Sequence, residues 1–266
     1  MNKNRELSVR LAPWVRIPVG VAVVCGVMAF ARPADGQIIN TLRGFEKDDG
    51  WAGRVEALLA AADGSTDYFE FDLGAAVQYR TGRNRFRLLA MRIRRESQGV
   101  KIADNTLGHL RHNYDLTGWL ATVLFVQGQQ NPFRRIEQRV LAGAGLRVDV
   151  VEREQFDMLA GVAYMHEREE ISGAPELGVV DRDRLSIFAS VLGKPRETVK
   201  MDLSVFYQPV IDDPENERSF VAATARVDII GGLYFTFAYT LLHDQEPPPG
   251  VPKTDQHVRS GLGFEF

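Results

Sequence analysis

The chain has 266 residues, a formal net charge of −3 and a balanced complement of 32 basic and 35 acidic residues. That balance carries no basic excess for a nucleic-acid surface. The mean hydropathy of −0.17 excludes a bundle of membrane helices, which needs several long apolar runs. It leaves a membrane β-barrel open, because only every second residue of a barrel strand faces lipid.

The N-terminus reads as a secretory signal peptide over residues 1–36. Lys3, Arg5, Arg10 and Arg16 form a basic head, and Ile17 to Ala31 is an apolar stretch too short for a comfortable transmembrane helix. Small-residue cleavage sites follow at Ala29-Phe30-Ala31 or Ala34-Asp35-Gly36. Val23-Val24 ahead of Cys25 fits lipoprotein processing poorly, and a retained anchor is the alternative. Cys25 is the one cysteine, so cleavage leaves a chain without thiol chemistry, suited to an oxidising periplasm. It also removes five basic and two acidic residues, which takes the net charge from −3 to −6. Residues 37–50 read as a short periplasmic lead-in.

From Trp51 onward the period is close to two. Phe69, Phe71, Leu73, Ala75, Val77 and Tyr79 alternate with Glu70, Asp72, Gln78 and Arg80. Ile136, Val140, Ala142, Ala144, Leu146 and Val148 oppose Glu137, Arg139, Gly143, Gly145, Arg147 and Asp149. Val199, Met201, Leu203, Val205 and Tyr207 oppose Lys200, Asp202, Ser204 and Gln208. Leu233, Phe235, Phe237, Tyr239 and Leu241 oppose Thr236, Ala238 and Thr240. Such runs have the length that a tilted strand needs to cross a bilayer. Two strands alternate poorly: Arg85–Arg95, which carries five arginines, and Asp183–Gly193, where Phe188 and Leu192 fall on the polar face.

The last strand is the most telling. Val258, Leu262, Phe264 and Phe266 share one face, and His257, Arg259, Gly261, Gly263 and Glu265 the other. The Gly261, Phe264 and Phe266 spacing resembles the C-terminal insertion signal read by the barrel-assembly machinery of Gram-negative bacteria. The pattern over 51–266 predicts an all-β fold, a transmembrane antiparallel up-and-down barrel of twelve strands in outer-membrane lipid. The strands lie at 51–62, 67–80, 85–95, 106–114, 119–129, 135–150, 155–167, 183–193, 198–210, 218–229, 233–243 and 255–266. Short connections alternate with long ones at Glu96–Asn105, Arg168–Arg182 and Asp244–Thr254, as such barrels require. Closure must pair the first strand with the last, since hydrocarbon leaves no backbone group a partner in water. Trp51, Tyr79, Tyr114, Trp119, Tyr164, Tyr207 and Phe266 stand near strand ends, where interfacial aromatic girdles sit.

Arg139, Gly143 and Gly145 on one strand, and Gly161, Tyr164 and Glu167 on the next, carry a family likeness. So do the Tyr114-Asp115 turn and the strand Trp119–Phe125. The chain resembles the salt-induced outer-membrane proteins of the YdiY-like family, a domain of unknown function, over most of residues 50–266. Asp63-Gly64-Ser65-Thr66 departs from the Gly-Asn that the family often has after its first strand. The resemblance implies a barrel and an osmotic or salt response, and lends no catalytic residue.

The register places a mixed-sign set in the lumen, with Glu137, Arg139, Arg147, Asp149, Asp202, Arg226 and Arg259 as lining candidates. Arg54, Glu56, Glu70, Asp72, Arg80, Asp157, Glu167, Lys200, Asp228 and Glu265 point the same way. Such a set either stiffens a filled barrel or screens solutes in a narrow pore; mixed signs favour a filled or very narrow lumen. His109-x-x-His112 would suit a metal on a helix, but odd spacing divides it between the faces of a strand. No nucleophile elbow, phosphate loop or zinc spacing occurs, so no catalytic, metal or cofactor site is expected. Gly143, Gly145, Gly161, Gly261 and Gly263 relieve crowding or leave room for a solute. The competing functions are a structural element or narrow channel, a lipid-modifying enzyme, and a receptor or adhesin using the long loops.

Overall fold

A computed structural model describes residues 49–63, 67–173 and 178–266. The signal peptide expected at 1–36 and nearly all of the lead-in lie outside the described residues. Twelve strands follow one another: β1 (Gly50–Ala62), β2 (Tyr68–Thr81), β3 (Asn84–Ser97), β4 (Val100–Asp115), β5 (Leu120–Asn131), β6 (Ile136–Arg153), β7 (Phe156–Ile171), β8 (Val179–Arg196), β9 (Val199–Pro209), β10 (Glu217–Ile230), β11 (Leu233–Asp244) and β12 (Thr254–Glu265). Each pairs antiparallel with its chain neighbours, and β1 meets β12 to close the sheet into a barrel. Where β1 and β12 pair, closure satisfies the ladder groups that an open edge would leave bare in lipid.

The alternation reads directly onto the wall. Leu88, Leu110, Leu124, Val162, Ile187, Leu203, Val205, Phe235, Phe237 and Leu262 are exposed apolar residues on the outer face. In a soluble protein that surface would be an aggregation hazard; around a barrel it is the lipid band. Turns at 82–83, 154–155, 197–198 and 231–232 lie on the side of both chain ends, which the outer-membrane rule makes periplasmic.

Several expected boundaries are corrected. The connection Glu96–Asn105 is no loop: β3 and β4 run on to a tight turn at Gln98 and Gly99, with φ of 50° and 71°. Likewise β7 continues to Ile171 and β8 starts at Val179, inside the expected Arg168–Arg182 loop. Both extensions carry charges outward. Arg92 bonds Thr106 at 2.8 Å and Asp104 at 2.5 Å, and Arg168 meets Asp181 at 3.3 Å. A search for an apolar outer face stops where the strand leaves hydrocarbon, although the sheet does not.

The second correction concerns Glu137. A 3-10 turn at Pro132–Arg134 is capped by the Asn131 side chain, which accepts from the Arg134 amide at 3.2 Å. Bulges follow between Gln129 and Asn131 and between Ile136 and Gln138. They give the inward place to Ile136, which is buried, and leave Glu137 exposed. Glu137 is therefore no lumen-lining residue.

Candidate functional site in the barrel lumen

The inner wall is layered. Near the extracellular rim β6, β7, β8, β10 and β11 converge on a buried ion network. Arg139 donates to Glu169 at 2.6 Å. Arg218 donates to Glu167 at 2.6 Å and to Asp244 at 3.0 Å. Arg184 lies 3.7 Å from Glu167 and donates to the Gln208 carbonyl at 2.9 Å. Glu167 has no exposed surface and Arg139 only 1 %. Arg134 and Asp255 extend the network to β12. Across the barrel Arg95 pairs with Glu70 and Asp72. Buried charges at this density demand mutual pairing, because each alone would cost several kcal/mol.

Below this network the lumen is apolar. Val123, Leu159, Phe188, Phe206, Phe220, Ala222 and Leu242 form one buried cluster on the inner face, with Phe125 against it. Phe206 stands 5.9 Å from Phe188 and 6.1 Å from Phe220, centroid to centroid. Arg111 lies 5.5 Å from the Phe188 ring and 5.7 Å from the Phe125 ring. The ring of Phe125 lies over Gly143, its cross-strand partner, and that of Phe188 over Gly161. A Cβ at either glycine would come within 2.3 Å of the ring. These glycines make room for luminal aromatics. Phe188, which broke the alternation on paper, faces the lumen as its register required.

The periplasmic half is divided by charge. On β2 to β6, Arg80, Arg85 and Arg147 share the Asp115 carboxylate at 3.7, 3.8 and 3.6 Å. Arg147 also holds Asp149 at 2.8 Å, and Arg87 donates to Gln78 at 2.8 Å. On β9, β10 and β12, Arg226 bonds Asp228 and Glu265 at 2.5 Å, and Lys200 stands 3.8 and 3.9 Å from the same two. One wall is therefore basic and the facing wall nearly neutral.

Solvent exposure is equally uneven. Inward residues of β4 to β8 are mostly buried. Inward residues of β1 (Arg54, Glu56, Leu58, Ala60), β11 (Thr236, Ala238, Thr240) and β12 (Arg259, Gly261) keep partial or full exposure. A wet lane lies beside β12 and β1, opposite a packed half and between the buried Tyr234 and Gly263 at one end and His257 and Leu242 at the other.

The closing seam lies in that lane. Among the described residues β1 and β12 pair at Arg54↔Glu265, Val55↔Phe264 and Glu56↔Gly263. Gly53 and Phe266 add two backbone bonds of 3.0 Å. Both faces are clasped there. Inside, Tyr234 of β11 lies over Gly263 and donates to Glu56 at 2.8 Å. Outside, the Phe266 ring covers Gly53.

Of the residues proposed to line the lumen, Arg139, Arg147, Asp149, Asp202, Arg226 and Arg259 take inward positions, and Glu137 does not. The network joins Arg139 to Glu169, and Arg226 to the seam through Glu265. Arg147 belongs to the basic wall, and Arg259 to the wet lane. Of the insertion-signal residues, Phe264 and Phe266 face outward and Gly261 inward. Gly263, not Gly261, is the glycine that carries a ring. His109 is buried, its Nδ1 3.1 Å from Gln127, and His112 lies on the outer face, 3.0 Å from Asn84. One outer cluster escaped notice: His166 and Tyr164 both meet Asp183, at 2.8 and 2.5 Å, on the extracellular part of β7 and β8. All three residues lie in strands the sequence predicts, and the cross-strand register His166↔Asp183 is the signal that would have found the cluster.

Comparison with solved structures returns outer-membrane barrels. The NanC porin matches with a TM-score of 0.50 at 9 % identity, covering 80 % of this chain and 98 % of that one. The KdgM porin matches at 0.44 and 7 % identity, covering 81 % and 99 %. The translocator domain of the autotransporter NalP from Neisseria meningitidis matches at 0.42 and 12 %, covering 81 % and 87 %. At such identities the likeness is one of fold. No curated protein matches. The family model described as "Protein of unknown function, DUF481" matches residues 55–266, so the chain belongs to that family.

Proposed function

We propose that this protein is a narrow outer-membrane channel for small polar solutes and not an enzyme. The observation that carries the reading is the wet lane: inward residues along β1, and Arg259 and Gly261 of β12, stay in contact with solvent while the Phe188–Phe206–Phe220 side is packed. A barrel that served only as a wall would pack both halves. The porin-like fold of the neighbours supports a channel in general terms. Mixed ion pairs along the lane leave it polar, and the Arg80, Arg85 and Arg147 wall adds a weak preference for anions. Export by residues 1–36, insertion into outer-membrane lipid by the assembly machinery through Gly261, Phe264 and Phe266, and expression tied to external salt complete the proposal.

Planar-bilayer recording of the purified protein is the test. Discrete steps well below those of an open porin are expected. A silent bilayer with correctly inserted protein would defeat the channel reading and leave a purely structural barrel.

A further inference from the structure

Above Glu56 the two strands of the seam part company. β1 stays bonded to β2 as far as Ala62, and β12 to β11 from Thr254, but no rung joins β1 to β12 beyond Glu56↔Gly263 among the described residues. Continued pairing would have set Leu58 opposite Gly261 and Ala60 opposite Arg259. The β1 edge at Ala57, Leu59 and Ala61 therefore presents ladder amides and carbonyls to a gap. The outward residues beside it are Leu59, Val258 and Leu262, all exposed, with Ser260 between the last two, so the gap lies at the depth of the lipid chains. Unpaired backbone at that depth costs several kcal/mol per group unless it borders a water-filled cavity. Here it does, because the wet lane lies directly behind.

The gap thus joins hydrocarbon on one side to water on the other. A neutral polar solute matches only the inner side, and a hydrocarbon only the outer. The inner lip is small and apolar: Leu58 and Ala60 on β1, and Gly261, around whose missing Cβ there is open space. Beside it stands Arg259, inward-facing and exposed, with the Asp72 carboxylate of β2 within electrostatic reach. We propose that the upper seam is a lateral portal for a single-chain anionic amphiphile of the fatty-acid class. The carboxylate meets Arg259 in the lane, and the acyl chain leaves between Leu58 and Gly261 into the outer leaflet. This goes beyond conduction, because the ligand comes from the membrane and not from either aqueous side.

The test uses protein purified from outer membranes and held in lipid nanodiscs, with nitroxide-labelled palmitate as the probe. Saturable binding is expected. It should weaken at least tenfold in Arg259→Gln and survive in Arg259→Lys. A Leu58→Cys/Gly261→Cys disulfide should abolish it, and a reductant should restore it. Binding that is absent in the parent protein, or indifferent to the disulfide or to Arg259→Gln, overturns the portal. Hydrogen exchange provides a check that needs no variant. Amides of residues 57–62 that face the gap should exchange far faster than those of 54–56, and equal protection overturns the proposal. Conductance recorded on the same samples separates the two readings: a protein that conducts without binding palmitate keeps the channel and loses the portal.

Discussion

Tyr234 donates its phenolic hydrogen to Glu56, a residue 178 positions away, by reaching across the width of β12. The ring lies on Gly263, and the Arg226 guanidinium sits 3.8 Å above that ring. One side chain thereby ties the last hairpin to the first strand at the height where they pair.

Removing the hydroxyl tests the clasp. Tyr234→Phe keeps the ring and leaves Glu56 to water in place of its donor, which should cost about 0.5–1.5 kcal/mol. Urea unfolding in detergent should show the midpoint shift, with faster amide exchange at residues 54–56. An unchanged midpoint and exchange pattern would mean that the closing backbone bonds suffice.

Gly263→Ala attacks the same joint from below. The new Cβ would stand 2.3 Å from the Tyr234 ring, and the nearest atoms all belong to that side chain. The ring must lift, at about 1–3 kcal/mol for the overpacking. Gly263→Ala combined with Tyr234→Ala should lose less stability than the two changes added together. Strict additivity in a double-mutant cycle would deny the contact.

The rim network should behave as a unit. Glu167→Gln strips a buried carboxylate from Arg218, Arg184 and Arg182. Breaking one partner of a buried pair costs roughly 3–5 kcal/mol. Glu137→Gln, at the exposed bulge, should change stability by less than about 0.5 kcal/mol. Chemical unfolding of the two variants side by side decides the matter, and equal effects would contradict the inward and outward assignments.

The apolar layer should limit how wide the conducting lane can be. Phe206→Ser replaces a buried ring in the middle of the Phe188–Phe206–Phe220 row. Hydrophobic constrictions resist wetting, so a hydroxyl and a void should let water in. Single-channel steps should grow severalfold. Arg147→Glu should leave the step size alone and shift the reversal potential in a salt gradient toward cations. A fixed reversal potential would remove the basic wall from the permeation path.

Much of this was legible in the sequence, for a definite reason. A strand has a period of two, so the outer stripe of β2, β9 and β11 announced itself. What escaped depended on position around the circle. Phe188 and Leu192 looked like flaws in an alternation because apolar residues occupy both faces of β8, and sequence cannot say which face is lipid. The bulge at Ile136–Gln138 inverted one residue, Glu137, since an extra residue shifts parity without leaving a compositional mark. The extended β3–β4 hairpin was missed because Glu96, Lys101 and Asp104 carry outward charges in water, where no apolar stripe is needed. Tyr234 was one aromatic among several; its partner lies at the other end of the chain.

The brevity of the β1–β12 seam also bears on how the barrel comes into being. Eleven of the twelve strand junctions join neighbours along the chain, so each can zip from its own turn. The twelfth alone joins residues 54–56 to 263–265, and it must bring together ends separated by nearly the whole described chain. Its loop-closure entropy is the largest in the molecule and is offset by few rungs. Circle closure is therefore the slow, late event of assembly, and reopening that same junction is the natural first step of its unfolding.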